Sequence, residues 1–239
     1  MPRKKLTRIQ EALTLPNIIQ HDDPDAKNYI AEFLDTKEKK FLELGCGRGE
    51  YTVGLSALFP QAHCMGVDIQ GERIWHGAKY ADENKKENIR FFRAPIRFLL
   101  DYVPEHSVDE IWIPFPDPFP RKKSARKRLT SPRFLEMYSK ILKPNGLVHL
   151  KTDNEALYFY SKETVGIYGT QTEQCIENVY ANITSQQKKE VIESPLFILS
   201  TSSNLSAPEA LTQIHTNFEK KFVRQEKKIF YLRFTLPQK

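Results

Sequence analysis

The sequence predicts an α/β fold, with a largely parallel sheet covered by helices on both faces. Three observations carry this. Short apolar runs alternate with helical periodicity from Phe41 onward, a glycine-rich turn joins the first run to the first helix, and 239 residues suffice for one sheet with its own core. The apolar runs place strands over 41–44, 63–67, 89–92, 108–113 and 147–151. Helical spacing places helices over 51–59, 73–84, 96–102, 132–142 and 155–168. Before the first strand, Tyr29, Ile30, Phe33 and Leu34 recur at helical spacing and form a short amphipathic helix. Residues 169–190 are polar and carry little structural signal. Two late strands, 196–200 and 230–235, enclose a loop over 202–208 and a helix over 209–222, which brings the sheet to seven strands. Residues 1–20, with Arg3, Lys4, Lys5 and Arg8, read as a basic arm that is mobile when unliganded; 21–239 reads as a single domain.

Composition narrows the partners. The formal charge of +6 is a moderate basic excess, so only local clustering of the bases points to a polyanion. The three cysteines, Cys46, Cys64 and Cys175, are odd in number, far apart and form no CxxC pair. That argues against a disulfide framework or a zinc site and fits a reducing, cytoplasmic setting. No metal site is expected. No apolar run approaches membrane-spanning length, and the basic start leads into no apolar signal core.

The first chemical signal is Phe41-Leu-Glu-Leu-Gly-Cys-Gly-Arg-Gly49, a strand running into a glycine loop and then a helix. Gly45 and Gly47 permit a tight turn and close approach of a ligand to the backbone. Asp68 ends the next strand, where a carboxylate can accept both hydrogens of a ribose diol. A dinucleotide fingerprint would need glycine where this chain has Glu50. Glu43 suits an ammonium group better than a pyrophosphate. Together these residues shape the loop for S-adenosyl-L-methionine, whose amino-acid end carries an ammonium and whose sulfur is cationic. The plainer alternative is a sharp strand–helix turn with no ligand.

The second signal spans 111–129, IWIPFPDPFPRKKSARKRL. An apolar strand stops at Asp117, locked between prolines, and Arg121, Lys122, Lys123, Arg126, Lys127 and Arg128 follow without one acid. Open α/β sheets place their chemistry at such strand ends. A dense positive loop beside the carboxylate can hold a nucleic acid against it. Alternatively Asp117 is a turn former and the loop a solvated surface. Phe119 can stack on a base or belong to the core, and His149 reads as a sheet-face residue rather than a catalyst.

ELGCGRG, the PFPDPFPRKKSARKRLT block, KTDNE at 151–155 and HTNFEKKF at 215–222 together resemble the bacterial tRNA (guanine-N7-)-methyltransferase family, from about Phe41 to Phe234. The resemblance implies a class I, Rossmann-like methyltransferase whose last strand pairing is antiparallel. It also implies methyl transfer from S-adenosyl-L-methionine to N7 of the variable-loop guanosine of tRNA, by a monomer or homodimer with no protein partner. By that resemblance Glu43, Gly45, Gly47, Asp68 and Asp117 contact the cofactor, and Asp117 is the catalytic residue. Arg121, Asp153, Thr216, Asn217, Phe218 and Glu219 contact the guanosine, while Lys122, Lys123, Arg126, Lys127 and Arg128 grip RNA. Asp153 can equally cap the following helix, and Thr216 with Glu219 can equally form a capping box. Where the family usually has an acidic or amide residue after the third strand, this chain has Arg93-Ala94-Pro95. It also carries Phe119 where tryptophan is usual.

Two rival readings stay open at this stage. Another N-methyltransferase, acting on adenine or a protein amide, would carry an (N/D)PP(Y/F)-type motif, whereas Asp117-Pro-Phe-Pro120 misplaces the second proline. A non-catalytic RNA-binding protein would have little use for Glu43, the glycines, Asp68 and Asp117 together.

Overall fold

The computed structural model describes residues 3–195, 197 and 211–237. The elements, in chain order, are α1 (Arg3–Ala12), β1 (Ile18–Gln20), α2 (Ala26–Leu34), β2 (Lys40–Leu44), α3 (Glu50–Leu58), β3 (His63–Asp68), α4 (Gly71–Glu83) and β4 (Ile89–Arg93). They continue with α5 (Leu99–Tyr102), β5 (Val108–Pro114), α6 (Pro132–Ile141), β6 (Leu142–Thr152), α7 (Glu155–Ile167), β7 (Thr172–Ile176), α8 (Ser185–Glu193), α9 (Asn217–Arg224) and β8 (Phe230–Thr235). The strands form one sheet in the order β1-β4-β3-β2-β5-β6-β8-β7. Pairings from β1 through β6 are parallel, and β8 runs antiparallel to both β6 and β7. Strand succession reverses between β2 and β5. That switch point opens a crevice at the carboxyl edge of the sheet.

Alternate residues of the central strands face two different interiors. Leu42, Leu44, Met65, Val67, Ile111, Ile113, Val148, Leu150, Leu232 and Phe234 form one apolar layer. The opposite face carries Phe41, Cys64, Trp112 and Tyr231 against Tyr51, Leu55 and Leu58 of α3. That second face also holds buried Glu43, Glu110, His149 and Lys151. A period-two pattern sorts side chains between faces, so one strand supplies both an apolar core and a polar site.

The sheet has eight strands rather than the expected seven. β1 is only three residues long, too short to show a period, and pairs with β4 at the edge. β7 lies in the polar stretch 169–190, because an edge strand exposed on both sides needs no apolar alternation. The strand expected over 196–200 and the loop over 202–208 fall largely outside the described residues. Within them, Phe197 packs on Tyr80 of α4 with ring centroids 4.6 Å apart. The helix expected over 209–222 is recast, since Thr216 caps α9 at Asn217.

The first 20 residues, read from the sequence as a basic arm, carry α1 and β1. α1 lies along α4, where Lys5 pairs with Glu72 at 2.7 Å, Trp75 Nε1 donates to Glu11 at 2.6 Å and the Arg8 guanidinium sits 5.1 Å over the Trp75 ring. Lys5 and Arg8 of this segment thus have acidic and aromatic partners on α4.

Candidate active site

β2 delivers Glu43 to the crevice with a side chain only 2 % exposed. Its carboxyl accepts from the Thr52 backbone N–H at 2.7 Å and the Thr52 hydroxyl at 2.5 Å. Burial pushes its pKa up to about 8 against these hydrogen bonds, because removing a carboxylate from water favours its neutral form. A cation entering here would restore the charged form.

The glycine loop turns over this carboxyl. Gly45, Gly47 and Gly49 have φ of +70°, +54° and +76°, a region that side chains rarely occupy. A Cβ on Gly45 or Gly47 would meet nothing within 4 Å, whereas one on Gly49 would lie 2.6 Å from the Phe91 ring. The first two glycines therefore leave backbone open to a ligand, and the third is required by packing. Asp68, at the end of β3, braces the loop: one oxygen accepts from Gly47 N–H and the other from Gln70 N–H, both at 2.9 Å. Each oxygen keeps a lone pair for a sugar hydroxyl. An open glycine cradle, a buried carboxyl and a rim carboxylate fit the parts of S-adenosyl-L-methionine in the expected order.

Across the switch point, β5 ends at Pro114 and the chain enters the acid-bearing loop. Phe115 and Phe119, flanking Asp117, have φ of +50° and +42°. Asp117 itself is exposed. A 3₁₀ turn over Lys122–Lys127 carries the basic run. Arg121, Lys122, Lys123, Arg126 and Lys127 are exposed, and none makes an ion pair among the described residues. Arg128, of the expected RNA-gripping set, is half-buried. Its guanidinium donates to the carbonyls of Pro118 and Phe119, at 3.0 and 3.1 Å, and lies 4.2 Å over the Tyr160 ring.

β6 places Asp153 just past its end, partly buried and 3.3 Å from Lys227 Nζ. Asn154 caps α7 by accepting from Leu157 N–H at 2.8 Å, so Asp153 is released from that duty. The 216–219 segment divides. Thr216 is buried and caps α9, its hydroxyl accepting from Glu219 N–H at 3.1 Å. Asn217 reaches Glu50, at the start of α3, with Nδ2 2.9 Å from the carboxylate. Phe218 is exposed.

Glu219 meets the expectation of a guanosine contact least. It has no exposed surface and pairs with buried Lys151 of β6, while Tyr180 donates its hydroxyl at 2.5 Å. Lys151 also donates to Tyr51 at 3.0 Å and to the Leu211 carbonyl at 2.5 Å. Burial pushes Glu219 up and Lys151 down, and each charge opposes the other's shift. The pair joins the strand that leads to Asp153 with the helix that presents Asn217 and Phe218. One sequence signal could have found it: a lysine at the end of the strand read over 147–151. Its partner lies far along the chain and was not legible.

His149 is structural, as its strand pattern implied. It stacks on Trp112 at 3.9 Å, accepts or donates with Tyr231 at 2.8 Å, and sits 3.1 Å from Glu110.

An open sheet with this strand order, a glycine cradle at the switch point and an antiparallel final strand defines a Rossmann-like class I methyltransferase. Solved structures share the fold: an antibiotic-related methyltransferase has a TM-score of 0.58 at 16% identity, covering 87% of this chain and 93% of its own. An antibiotic-resistance methyltransferase has 0.57 at 12% identity, covering 88% and 92%. A family described as putative methyltransferase matches residues 37–232. The chain is 40% identical over 187 residues to the tRNA (guanine-N(7)-)-methyltransferase of Porphyromonas gingivalis, covering 74% of this chain and 76% of that one. It is 33% identical over 243 residues to the enzyme of the same description from Christiangramia forsetii, covering 98% of each. The chain belongs to the tRNA (guanine-N(7)-)-methyltransferase family.

Proposed function

We propose that this protein transfers the methyl group of S-adenosyl-L-methionine to N7 of a guanosine in the variable loop of tRNA. The observation that carries this reading is the placement of Asp117. It is exposed in the loop that follows β5, the strand beside β2 at the switch point, and five exposed bases without ion pairs among the described residues follow it in the chain. When bound, the cofactor supplies an electrophilic sulfonium methyl. Glu43 faces its ammonium, Gly45 and Gly47 admit it against the backbone, and Asp68 accepts from its ribose.

Guanine N7 has a free lone pair at neutral pH, so no side chain need remove a proton before transfer. Among the described residues no cluster of metal-ligating groups appears, and the reaction needs none. Alignment of N7 with the methyl is the main requirement. Positive charge moves toward the purine during transfer, and the Asp117 carboxylate stabilises it there. Asp153 accepts from the guanine N1–H or amino group, while Arg121, Asn217 and Phe218 complete the base pocket. Glu219 and Thr216 hold the N-terminus of α9 from behind. Lys122, Lys123, Arg126 and Lys127 bind tRNA phosphates. A base in a folded tRNA must be drawn out to reach this crevice.

The test is direct. Purified protein is incubated with unmodified tRNA and methyl-labelled cofactor, and the RNA is digested and its labelled nucleoside identified. Label in 7-methylguanosine from the variable loop is expected. Label in a methyladenosine would replace the reading with an adenine methyltransferase, and tRNA binding without label would leave an RNA-binding protein of this fold.

A further inference from the structure

We infer that Arg128 is a positioning residue for Asp117, not a phosphate contact, although it lies in the same basic run as five exposed bases. The inference deepens the proposed function, because it rests on Asp117 serving the transfer step.

The loop around Asp117 has little means of holding itself. Pro114, Pro116, Pro118 and Pro120 lack backbone N–H groups, so ordinary turn hydrogen bonds cannot form at alternate positions. At its entry, Phe115 N–H donates to the Lys151 carbonyl at 2.7 Å. Beyond Asp117 the Pro118 and Phe119 carbonyls need external donors, and Phe119 has a φ of +42° that must be enforced from outside. Arg128 supplies them: Nε lies 3.0 Å from the Pro118 oxygen and 3.3 Å from the Phe119 oxygen, and Nη2 lies 3.1 Å from the latter. The guanidinium plane is backed by the Tyr160 ring at 4.2 Å.

The base of this arm is fixed as well. Arg128 N–H donates to the Ala125 carbonyl at 3.0 Å, and its own carbonyl accepts from Ser131 N–H at 2.9 Å, at the cap of α6. Arg128 is half-buried while Arg121, Lys122, Lys123, Arg126 and Lys127 are exposed. A planar fork on an aromatic face is a task for arginine that lysine cannot repeat with its point charge.

Charge and geometry can therefore be separated experimentally. Arg128→Lys keeps the charge and loses the fork; Tyr160→Ala keeps the arginine and removes its backing. Both variants are assayed for single-turnover methyl transfer at saturating tRNA, for the salt dependence of tRNA affinity, and for amide exchange over 115–121. Each should lose at least about tenfold in rate through misplacement of the acid. The log–log salt slope should match the wild type, and exchange of the Phe115 N–H, which is hydrogen-bonded to the Lys151 carbonyl at the loop's entry, should accelerate as the loop loosens. Lys123→Ala is the contrast, with a slope shallower by about 0.9. A normal rate and normal exchange in both variants would overturn the inference. So would an Arg128→Ala slope shallower by about 0.9 with loop exchange unchanged, which marks a phosphate contact. A wild type that labels no tRNA would sink the functional reading, and amide exchange would still decide the loop's support.

Discussion

At the glycine-loop end of the crevice, Glu43 takes two hydrogen bonds from Thr52, Asp68 takes one backbone N–H on each oxygen, and Glu50 is held by Asn217. At the basic end, Asp117 and five bases stand exposed, and the bases have no ion pairs among the described residues. The contrast follows from the ligands each end is proposed to meet. A small cofactor binds best to groups already fixed, since ordering them on binding would cost affinity. A polyanion gains from free charges that release counterions when they meet phosphates. The buried Lys151–Glu219 pair joins β6 to α9 behind both ends, and the cost of leaving one buried charge unpaired makes it the most sensitive point.

The largest effect is expected there. Lys151→Ala leaves Glu219 charged or protonated in a dry site and should cost about 3–5 kcal/mol of stability in denaturant unfolding. A loss below about 1 kcal/mol would mean that the pair does not hold α9 to β6. Next comes Asp117→Asn, an exposed change that should leave stability within about 0.5 kcal/mol. Its single-turnover rate should fall about 100-fold or more, with cofactor affinity nearly unchanged. Equal loss of rate and cofactor affinity would reassign Asp117 to binding.

Glu43 gives a smaller effect with a defined sign. Its folded pKa of about 8 lies above the ordinary 4.5. The unfolded chain loses this proton first, so the stabilising contribution is complete below pH 4.5 and disappears as pH rises through 8. Cofactor binding works in the other direction, since an ammonium favours the ionised carboxylate. Calorimetric affinity should rise about fivefold between pH 7 and 8 in the wild type and stay flat in Glu43→Gln. The variant should also melt higher than the wild type at pH 8. A flat wild-type profile would separate Glu43 from the ammonium. Smallest of all, single alanines at Lys122, Lys123, Arg126 or Lys127 should each reduce the salt slope of tRNA binding by about 0.9, which filter binding across a salt series would read.

How much of this was legible depended on the range of the interactions. The strand–glycine loop–helix unit could be read because apolar run, turn glycines and helical spacing all lie within residues 41–59. Asp68 and Asp117 followed from their positions at strand ends. β1 and β7 escaped notice because short edge strands carry no period-two pattern. The pattern at Thr216 and Glu219 suited a capping box as well as a guanosine contact, and half of a box exists: Thr216 caps, but Glu219 turns inward to Lys151. Arg128 was indistinguishable from its neighbours, since composition cannot tell a base facing solvent from one donating to a carbonyl. In both cases the deciding partner is distant in sequence or is backbone.

The most direct test of the two-ended design is a calorimetric titration of S-adenosyl-L-methionine into the protein alone, at low and high salt. Saturable one-to-one binding that changes less than about twofold is the predicted result, because the carboxyl proposed to meet the cofactor's ammonium, Glu43, is buried and screened little. Binding that requires tRNA, or that collapses as salt is raised, would contradict it.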